Sequence, residues 1–246
     1  MRTFLICSLL AVATTGSIAH AQTKPDGQWH GALGAGLSLA SGNTRSQALS
    51  VSADGSVETA ADKITAYGLL LNASSKNAGG VNTKTADLFR IGGRYDRNIT
   101  DRLYGFGGLE FEKDAIKTLN LRTSLMAGVG YKLIRTADMT FDVFGGIGYT
   151  QNDYKVAKDS SGANLLLGEE STHKLSASSS FKQRLVVYPG LESSLGNRAT
   201  WDATLSSALA GNLSLNVTYG LRYASKVPAG IKGTDSLLLV GVGYKF

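Results

Sequence analysis

The last stretch of the chain, residues 234–246, alternates between two kinds of side chain. Every second residue is apolar, and that face consists of Leu238, Val240, Val242, Tyr244 and Phe246. Because successive side chains of a strand point to opposite sides, a period of two predicts a β-strand. An ordinary buried last strand of a soluble β-domain would show the same pattern. Its recurrence along the whole chain favours a larger, uniformly all-β architecture.

The end of this strand carries a second signal. A chain that stops on an aromatic residue, with another aromatic two positions earlier, resembles the C-terminal assembly signal of bacterial outer-membrane barrels. Gly241, Tyr244 and Phe246 match its Gly-x-x-aromatic-x-aromatic pattern, and Leu239 departs from it because a polar residue is usual there. The resemblance implies that the barrel-assembly machinery recognises this strand.

The N-terminus has the pattern of a secretory signal peptide. Arg2 provides the positive charge, residues 4–13 are apolar, and Ala19-His20-Ala21 is a small-x-small cleavage site. A membrane anchor is the alternative, but the apolar run is short for a spanning helix. We therefore expect a signal peptide over 1–21, a short periplasmic lead over 22–28, and a barrel over 29–246, exported through the periplasm.

Composition excludes several classes of function. Cys7 is the only cysteine and lies in the predicted signal, so the mature chain would have no disulfide, cysteine nucleophile or thiolate metal site. The formal net charge is +6, but the basic residues are spread along the chain, and we expect no nucleic-acid partner. After the signal no apolar run is long enough for a membrane helix. We expect no cofactor and no metal.

Alternating segments predict twelve strands, an even number. The predicted strand near 165–175 alternates poorly between apolar and polar residues. In the third segment, the alternation predicts an apolar, lipid-facing side that carries Tyr67, Leu69 and Leu71. The predicted strands lie at about 29–40, 46–58, 63–76, 83–98, 102–113, 119–133, 141–149, 165–175, 181–191, 199–209, 213–223 and 234–246.

The connections between these strands differ in length by parity. Connections after even strands are short, whereas those after odd strands tend to be longer, as in outer-membrane barrels with periplasmic turns and extracellular loops. Lipid also requires closure, because no backbone hydrogen bond can stay open in a bilayer. The sequence therefore predicts a closed antiparallel transmembrane β-barrel of twelve strands in the cell outer membrane, with outer-membrane lipid as its surroundings.

Several motifs extend the match beyond the last strand. Ser41-Gly42-Asn43-Thr44 follows the first strand, residues 99–106 read I-T-D-R-L-Y-G-F before Glu110, and Arg222-Tyr223 precedes Pro228 and Thr234-Asp235. With the terminal Tyr-x-Phe, these motifs make residues 29–246 resemble the salt-induced outer-membrane protein family, a domain of unknown function. The resemblance implies an outer-membrane barrel, and it implies no established ligand, reaction or active site.

The face opposite the lipid is the candidate functional surface. Charged residues recur on it, and opposite signs on neighbouring strands attract. Arg90, Arg94, Glu110, Glu112 and Arg122 are expected to form one cluster on strands four to six, and Lys132 and Asp142 flank one turn. The predicted lumen cluster comprises Arg90, Arg94, Glu110, Glu112, Arg122, Lys132, Asp142, Arg184, Asp202 and Arg222.

Two interpretations of this charged face remain open. In one, the pairs cross-link the wall and fill a narrow lumen, as side chains do in small barrels, and the protein supports envelope integrity or stress adaptation. In the other, the charges line an aqueous pathway that selects small polar solutes or ions. Twelve strands lie between filled eight-stranded barrels and open porins, so strand number does not decide.

An outer-membrane lipid-modifying enzyme is a weaker alternative. A phospholipase of this kind needs a serine and a histidine with a polar orienting group. The mature chain has only His30 and His173, and neither lies in a recognisable motif. Glycine-rich pieces such as residues 145–148 precede no helix pattern and are therefore wall glycines, not phosphate loops. We expect the protein not to be an enzyme.

Overall fold

The structure, a computed structural model, describes residues 25–40, 45–76, 81–228 and 231–246. The predicted signal peptide and the Ser41-Gly42-Asn43-Thr44 motif lie outside the described residues. Within them the chain forms twelve strands. These are β1 Trp29–Ala40, β2 Arg45–Glu58, β3 Asp62–Lys76, β4 Asn82–Asn98, β5 Leu103–Asp114, β6 Leu119–Arg135, β7 Met139–Tyr154, β8 Ser160–Lys174, β9 Ser179–Tyr188, β10 Arg198–Ala208, β11 Leu213–Ala224 and β12 Thr234–Lys245.

Each strand pairs antiparallel with its neighbours in sequence, and β1 pairs with β12, so the sheet closes into a barrel. The predicted fold class is confirmed. Connections after even strands span three or four residues, and those after odd strands four to nine, counted between strand ends. We call the two ends of the barrel the turn end and the loop end. Both termini of the barrel domain lie at the turn end.

Large apolar side chains cover the outside of the wall. Leu37, Leu125 and Ile147 are each at least 60% exposed, on strands that carry polar side chains inward. Outward aromatic residues gather near the turn end, including Trp29, Tyr95, Tyr131, Tyr244 and Phe246. An apolar band edged by aromatic residues is the outer surface of a transmembrane barrel.

The alternation in β3 runs opposite to the prediction. Tyr67 and Leu71 point into the lumen, because Tyr67 pairs with Asp54 and Leu71 with the fully buried Ser50, both inward residues of β2. The outward face carries Ile64 and Leu70, which are half exposed. Both faces of β3 are apolar, so the pattern alone could not identify the lipid face.

Two further differences have local causes. The sixth segment has outward Leu125 and Val129, and the same alternation would place Leu119 outward, but Leu119 is buried because a register shift between Leu119 and Leu121 moves it to the other face. Strand β8 begins at Ser160 instead of near 165, which shortens the predicted connection between the seventh and eighth strands. Its inward face mixes Asn164, Leu166 and Glu170, so its alternation is weak.

Inward aromatic rings lie over glycines of the neighbouring strand. Tyr67 pairs with Gly92 and Tyr104 with Gly130. A Cβ atom at either glycine would overlap the facing ring. The glycines of the wall therefore provide space, which lets large rings lie flat against the inside of the barrel.

The seam between β1 and β12 is short. Four residue pairs, from Ala32 with Lys245 to Ala35 with Val242, hold these strands together in the described residues. Phe246 extends the seam by one pair, since it exchanges both backbone hydrogen bonds with Gly31 at 3.1 Å. Its ring also covers Gly31. The last residue of the chain thus closes the barrel.

Deletion of Phe246, or Phe246→Ser, should reduce the amount of assembled barrel severalfold, because the closing pair and the outward ring are lost together. The measurement is the heat-shifted band of unboiled outer-membrane fractions. Tyr223→Ser removes another outward aromatic, at the loop end of β11, and should leave assembly near the normal level. Normal amounts of the truncated protein would contradict the role assigned to Phe246.

Candidate functional site: the lumen

The lumen has a bulky side and a small side. On the bulky side, buried Tyr104, Phe106, Phe144, Leu166 and Val186 form one apolar cluster. The rings of Phe106 and Phe144 meet edge to face with centroids 5.9 Å apart. This cluster was not predicted from the sequence, which assigned apolar side chains to lipid. The period of two could have predicted this cluster. Phe106 lies four residues before the inward Glu110 on β5, so both side chains point to the same face.

Two arginines from distant strands reach the same ring of this cluster. The Cζ atom of Arg94, on β4, lies 4.3 Å from the ring centre of Phe106 and 5.3 Å from that of Phe144. The Cζ atom of Arg184, on β9, lies 4.9 Å from the centre of the Phe144 ring. Cations over aromatic faces attract electrostatically. Side chains from β4, β7 and β9 therefore meet across the interior.

The small side of the lumen is lined by β10, β11, β12, β1 and β2. Glycines and short polar side chains predominate on its inward face, which also carries the Arg222–Asp202 ion pair. Thr204 and Thr218 share a hydrogen bond of 2.9 Å across β10 and β11. The buried polar residues of this wall are Ser50, Ser52, Thr204, Ser206, Ser214, Asn216 and Thr218. Small residues here leave space for the long side chains that extend from the bulky side.

Three of the predicted lumen residues form a continuous chain of ion pairs. Glu112 on β5 accepts from Arg90 Nε on β4 at 2.8 Å and from Arg122 Nη1 on β6 at 2.8 Å. All three side chains are at most 15% exposed. Arg122 also donates from Nε to Asn152 Oδ1 at 2.7 Å. One carboxylate thus serves two arginines in the loop half of the lumen.

The other two members of the expected cluster bind elsewhere. Glu110 accepts a hydrogen bond of 2.6 Å from the hydroxyl of Tyr67. Arg94 pairs with Asp96 on its own strand, besides its contacts with the aromatic rings. The five residues are therefore divided among three groups: the Arg90–Glu112–Arg122 chain, the Tyr67–Glu110 hydrogen bond and the Arg94–Asp96 pair.

Lys132 and Asp142 occupy paired positions on β6 and β7 but do not pair with each other. Asp142 instead forms an ion pair with Arg135, whose Nη2 atom donates to Asp142 Oδ2 at 2.7 Å. A register shift between Lys132 and Ile134 brings Arg135 into reach. Lys132 instead donates to Asn98 Oδ1 at 2.8 Å.

The remaining predicted charges pair on β8 to β11. Arg184 donates to Glu170 at 2.7 Å, and Lys182 lies 3.2 Å from the same carboxylate. Glu170 was missed in the sequence, because β8 alternates poorly. Arg222 donates to Asp202 at 2.6 Å. The Arg184–Glu170 pair lies on β9 and β8, beside the small wall, whereas the Arg222–Asp202 pair lies on the small wall itself.

An ion pair also crosses the loop end. Lys117, in the connection between β5 and β6, lies 2.6 Å from Asp235 at the start of β12. In the closed order of strands, β12 lies opposite β6. This pair therefore joins opposite sides of the loop-end mouth.

The two histidines of the predicted mature chain are far apart in the fold. His30, at the turn end, lies 2.8 Å from Asp26. The backbone NH of Gln28 and the His30 ring hold the pKa of the Asp26 carboxyl below its usual range. Asp26 and His30 thus tie the entering chain to β1. No group of three or more His, Cys, Asp or Glu side chains in the described ranges could hold a metal ion.

His173 does contact a serine, on the lipid side of β8. Its Nε2 lies 3.2 Å from Ser171 Oγ. Ser171 is only 2% exposed, and no acidic side chain of the described chain pairs with the ring. The ring instead packs against Phe181. A lipid-hydrolysis assay on purified protein tests this contact for activity.

Within the described residues, no helix has the length and apolarity needed to cross a bilayer.

Comparison with known proteins assigns the family. The sequence model of a protein family of unknown function, DUF481, matches residues 33–246. The chain belongs to the DUF481 family. The match begins within β1 and ends at Phe246, so it spans nearly the whole barrel. The resemblance to the salt-induced outer-membrane protein family is confirmed.

This DUF481 protein is similar to one curated protein in sequence and to solved barrel structures in fold. The uncharacterized protein YdiY of Escherichia coli strain K12 is 27% identical over 220 residues, which cover 88% of this chain and 82% of YdiY. The COG4313 outer membrane channel from Pseudomonas putida F1 superposes with a TM-score of 0.53 at 12% identity, covering 94% of this chain and 99% of the channel. The translocator domain of the autotransporter NalP from Neisseria meningitidis superposes with a TM-score of 0.48 at 13% identity. The match covers 89% of this chain and 87% of the translocator domain.

Proposed function

We propose that this protein is a closed structural barrel of the outer membrane, whose side-chain-filled lumen reinforces the envelope under salt stress. The observation that carries the proposal is the meeting of Arg94 and Arg184 over the Phe144 ring. These side chains come from β4, β9 and β7, so they extend across the barrel at one level. An ion crossing the lumen would have to displace them.

A second barrier supports closure at the loop end. The ion pair between Lys117 and Asp235 spans the mouth at 2.6 Å. Farther in, Arg198 of β10 donates to Thr150 of β7 at 3.2 Å. Polar contacts at the mouth and an apolar cluster in the middle therefore close the lumen at two levels.

The chemistry of the interior suits a saline environment. At physiological ionic strength, salt largely screens the interaction between exposed charges that are more than about 8–10 Å apart. Buried ion pairs are screened much less. The Arg90–Glu112–Arg122 chain is buried. The ion pairs that hold this wall together would therefore keep their strength when external salt rises, which supports a role in stress adaptation.

Planar-bilayer recording of refolded protein tests the proposal. The wild type should give no steady conductance, because the cluster at Phe106 and Phe144 fills the middle of the lumen. The double variant Phe106→Ser/Phe144→Ser should give a measurable conductance, because it removes two large rings. A strain without the protein should grow poorly at raised NaCl, and both the wild type and the double variant should be expressed in it for comparison.

A matched control uses the lipid face. Phe89→Ser/Phe111→Ser removes two outward rings from β4 and β5 and should stay silent in the bilayer. Steady conductance of the wild type would contradict the closed barrel. Normal growth of the strain without the protein at all salt concentrations would contradict the stress role.

The small wall of the lumen favours a second candidate, a narrow ion or solute pathway. Hydroxyl and amide groups run along it from Ser50 to Asn216 and Ser214. Polar groups of this kind line aqueous pathways. In that case the wild type conducts, and Glu110→Gln/Glu112→Gln moves its selectivity toward anions because two negative charges leave the lumen.

A further inference from the structure

A small cavity at the loop end collects positive charge that ion pairs of the described chain neutralise only in part. Its volume is about 130 Å³, and four of its lining side chains are cations: Arg122, Lys158, Arg198 and Lys226. They come from β6, β10 and two loops. No acidic residue lines the cavity. The two acidic residues of the loops at 155–159 and 189–197 are Asp159 and Glu192, and both lie outside the lining.

Ion pairing leaves most of this charge uncompensated. Arg122 shares the single carboxylate of Glu112 with Arg90. Arg198, Lys158 and Lys226 form no ion pair within the described ranges of the chain. Like charges held close together in a partly buried site repel, and an anion between them would remove that cost.

The arginine heads are held in place by neighbouring groups. Arg198 donates from Nη2 to Thr150 Oγ1 at 3.2 Å, and its Cζ atom lies 4.8 Å from the ring centre of Tyr188. Arg122 is fixed by Glu112 and Asn152. Side chains that are ordered before binding lose less freedom on binding a ligand.

The rim of the cavity is also tied together. The loops 189–197 and 225–233 exchange two hydrogen bonds, from Asn197 N to Ser225 Oγ at 2.8 Å and from Ser225 N to Asn197 O at 2.9 Å. Leu195 is buried beneath them. Asn152 and Ser160 add a hydrogen bond of 3.0 Å on the opposite side. These hydrogen bonds hold the described residues of the rim, Asn152, Ser160, Asn197 and Ser225, together in two pairs.

We propose that this cavity binds a phosphate group. Arginine presents its N–H donors in a fork that matches the oxygens of phosphate. A cavity of about 130 Å³ has room for one tetrahedral oxyanion. The phosphate comes from a free ion or from the headgroup of an outer-leaflet lipid. The site does not depend on whether the lumen below it conducts.

Calorimetry on the refolded full barrel, in a maltoside detergent that carries no phosphate, tests the proposal. One arm titrates inorganic phosphate, and the other titrates lipid A in the same detergent. Arg198→Gln and Lys158→Gln should each weaken binding, by about tenfold or more for the arginine. Lys155→Gln is the matched control, since Lys155 lies on the same loop as Lys158 but outside the cavity lining.

The two arms identify the source of the phosphate. Binding of inorganic phosphate that only the cavity variants weaken supports a free-anion site. Binding of lipid A alone, with the same dependence on Arg198, supports a headgroup site. Absence of binding in both arms would overturn the proposal, as would an equal loss in Lys155→Gln, because that result means non-specific attraction. The heat-shifted band of each variant verifies that the barrel is folded.

Discussion

Glu112→Gln should lower the free energy of unfolding of this barrel by about 3–5 kcal/mol, the usual cost of breaking a buried ion pair from one side. Glutamine keeps the shape of the side chain but loses the charge. Arg90 and Arg122 both donate to this carboxylate. Its neutralisation would leave two arginines close together, buried and without a counter-charge. The measurement is the urea midpoint of unfolding from lipid vesicles.

Asp138→Asn is the control for this change. It removes the same charge from an exposed turn between β6 and β7 and should change stability by less than about 0.5 kcal/mol. Glu110→Gln should lie between the two, since Glu110 accepts one hydrogen bond, from Tyr67. Equal stability of Glu112→Gln and Asp138→Asn would show that the Arg90–Glu112–Arg122 chain does not stabilise the lumen.

Gly128→Ala should destabilise the barrel by about 1–3 kcal/mol, the range for overpacked sites. Gly128 on β6 faces Gly146 on β7. A Cβ atom at Gly128 would overlap the carbonyl oxygen of Gly145 and lie 2.8 Å from the Cα atom of Gly146. It would also lie 2.7 Å from Cζ of Phe106. Backbone atoms cannot turn aside as a side chain can, so the β6–β7 pairing must shift.

The matched control is Gly107→Ala on β5. A Cβ atom there meets nothing nearer than the carbonyl oxygen of Met126, at 4.0 Å. Both changes add the same methyl group to a strand, and only one has backbone in the way. If the two variants unfold at the same urea concentration, the close approach of Gly128 and Gly146 is not a constraint on this wall.

The existence and order of the strands followed from the sequence, because lipid on one side and charge on the other enforce a period of two. The period fails where both faces are apolar, as in β3, where Tyr67 and Leu71 point inward opposite Ile64 and Leu70. It also fails at a bulge, since one extra residue turned Leu119 to the inside. The sequence of β3 does not indicate which of its apolar faces meets lipid, and a single sequence does not mark the position of a bulge.

The contents of the lumen were only partly predictable. Alternation predicted inward charges on β4 to β6, where the structure has the Arg90–Glu112–Arg122 chain, but it gave no information on which charges meet. Arg94 lies outside the expected cluster, because its guanidinium group contacts the ring faces of Phe106 and Phe144. Such partners lie on strands that are distant in sequence, so they depend on the closed shape of the barrel and not on local pattern.

The short seam between β1 and β12 has a consequence for how this barrel forms. These strands are separated by nearly the whole chain, so their pairing requires the largest loop closure, and contacts of such range form late. Only a few residue pairs of the described chain stabilise the closed seam, from Gly31 with Phe246 to Ala35 with Val242. Until it occurs, both strands present open edges to other strands. Closure at this seam should therefore set the rate of folding, and forced unfolding should begin there.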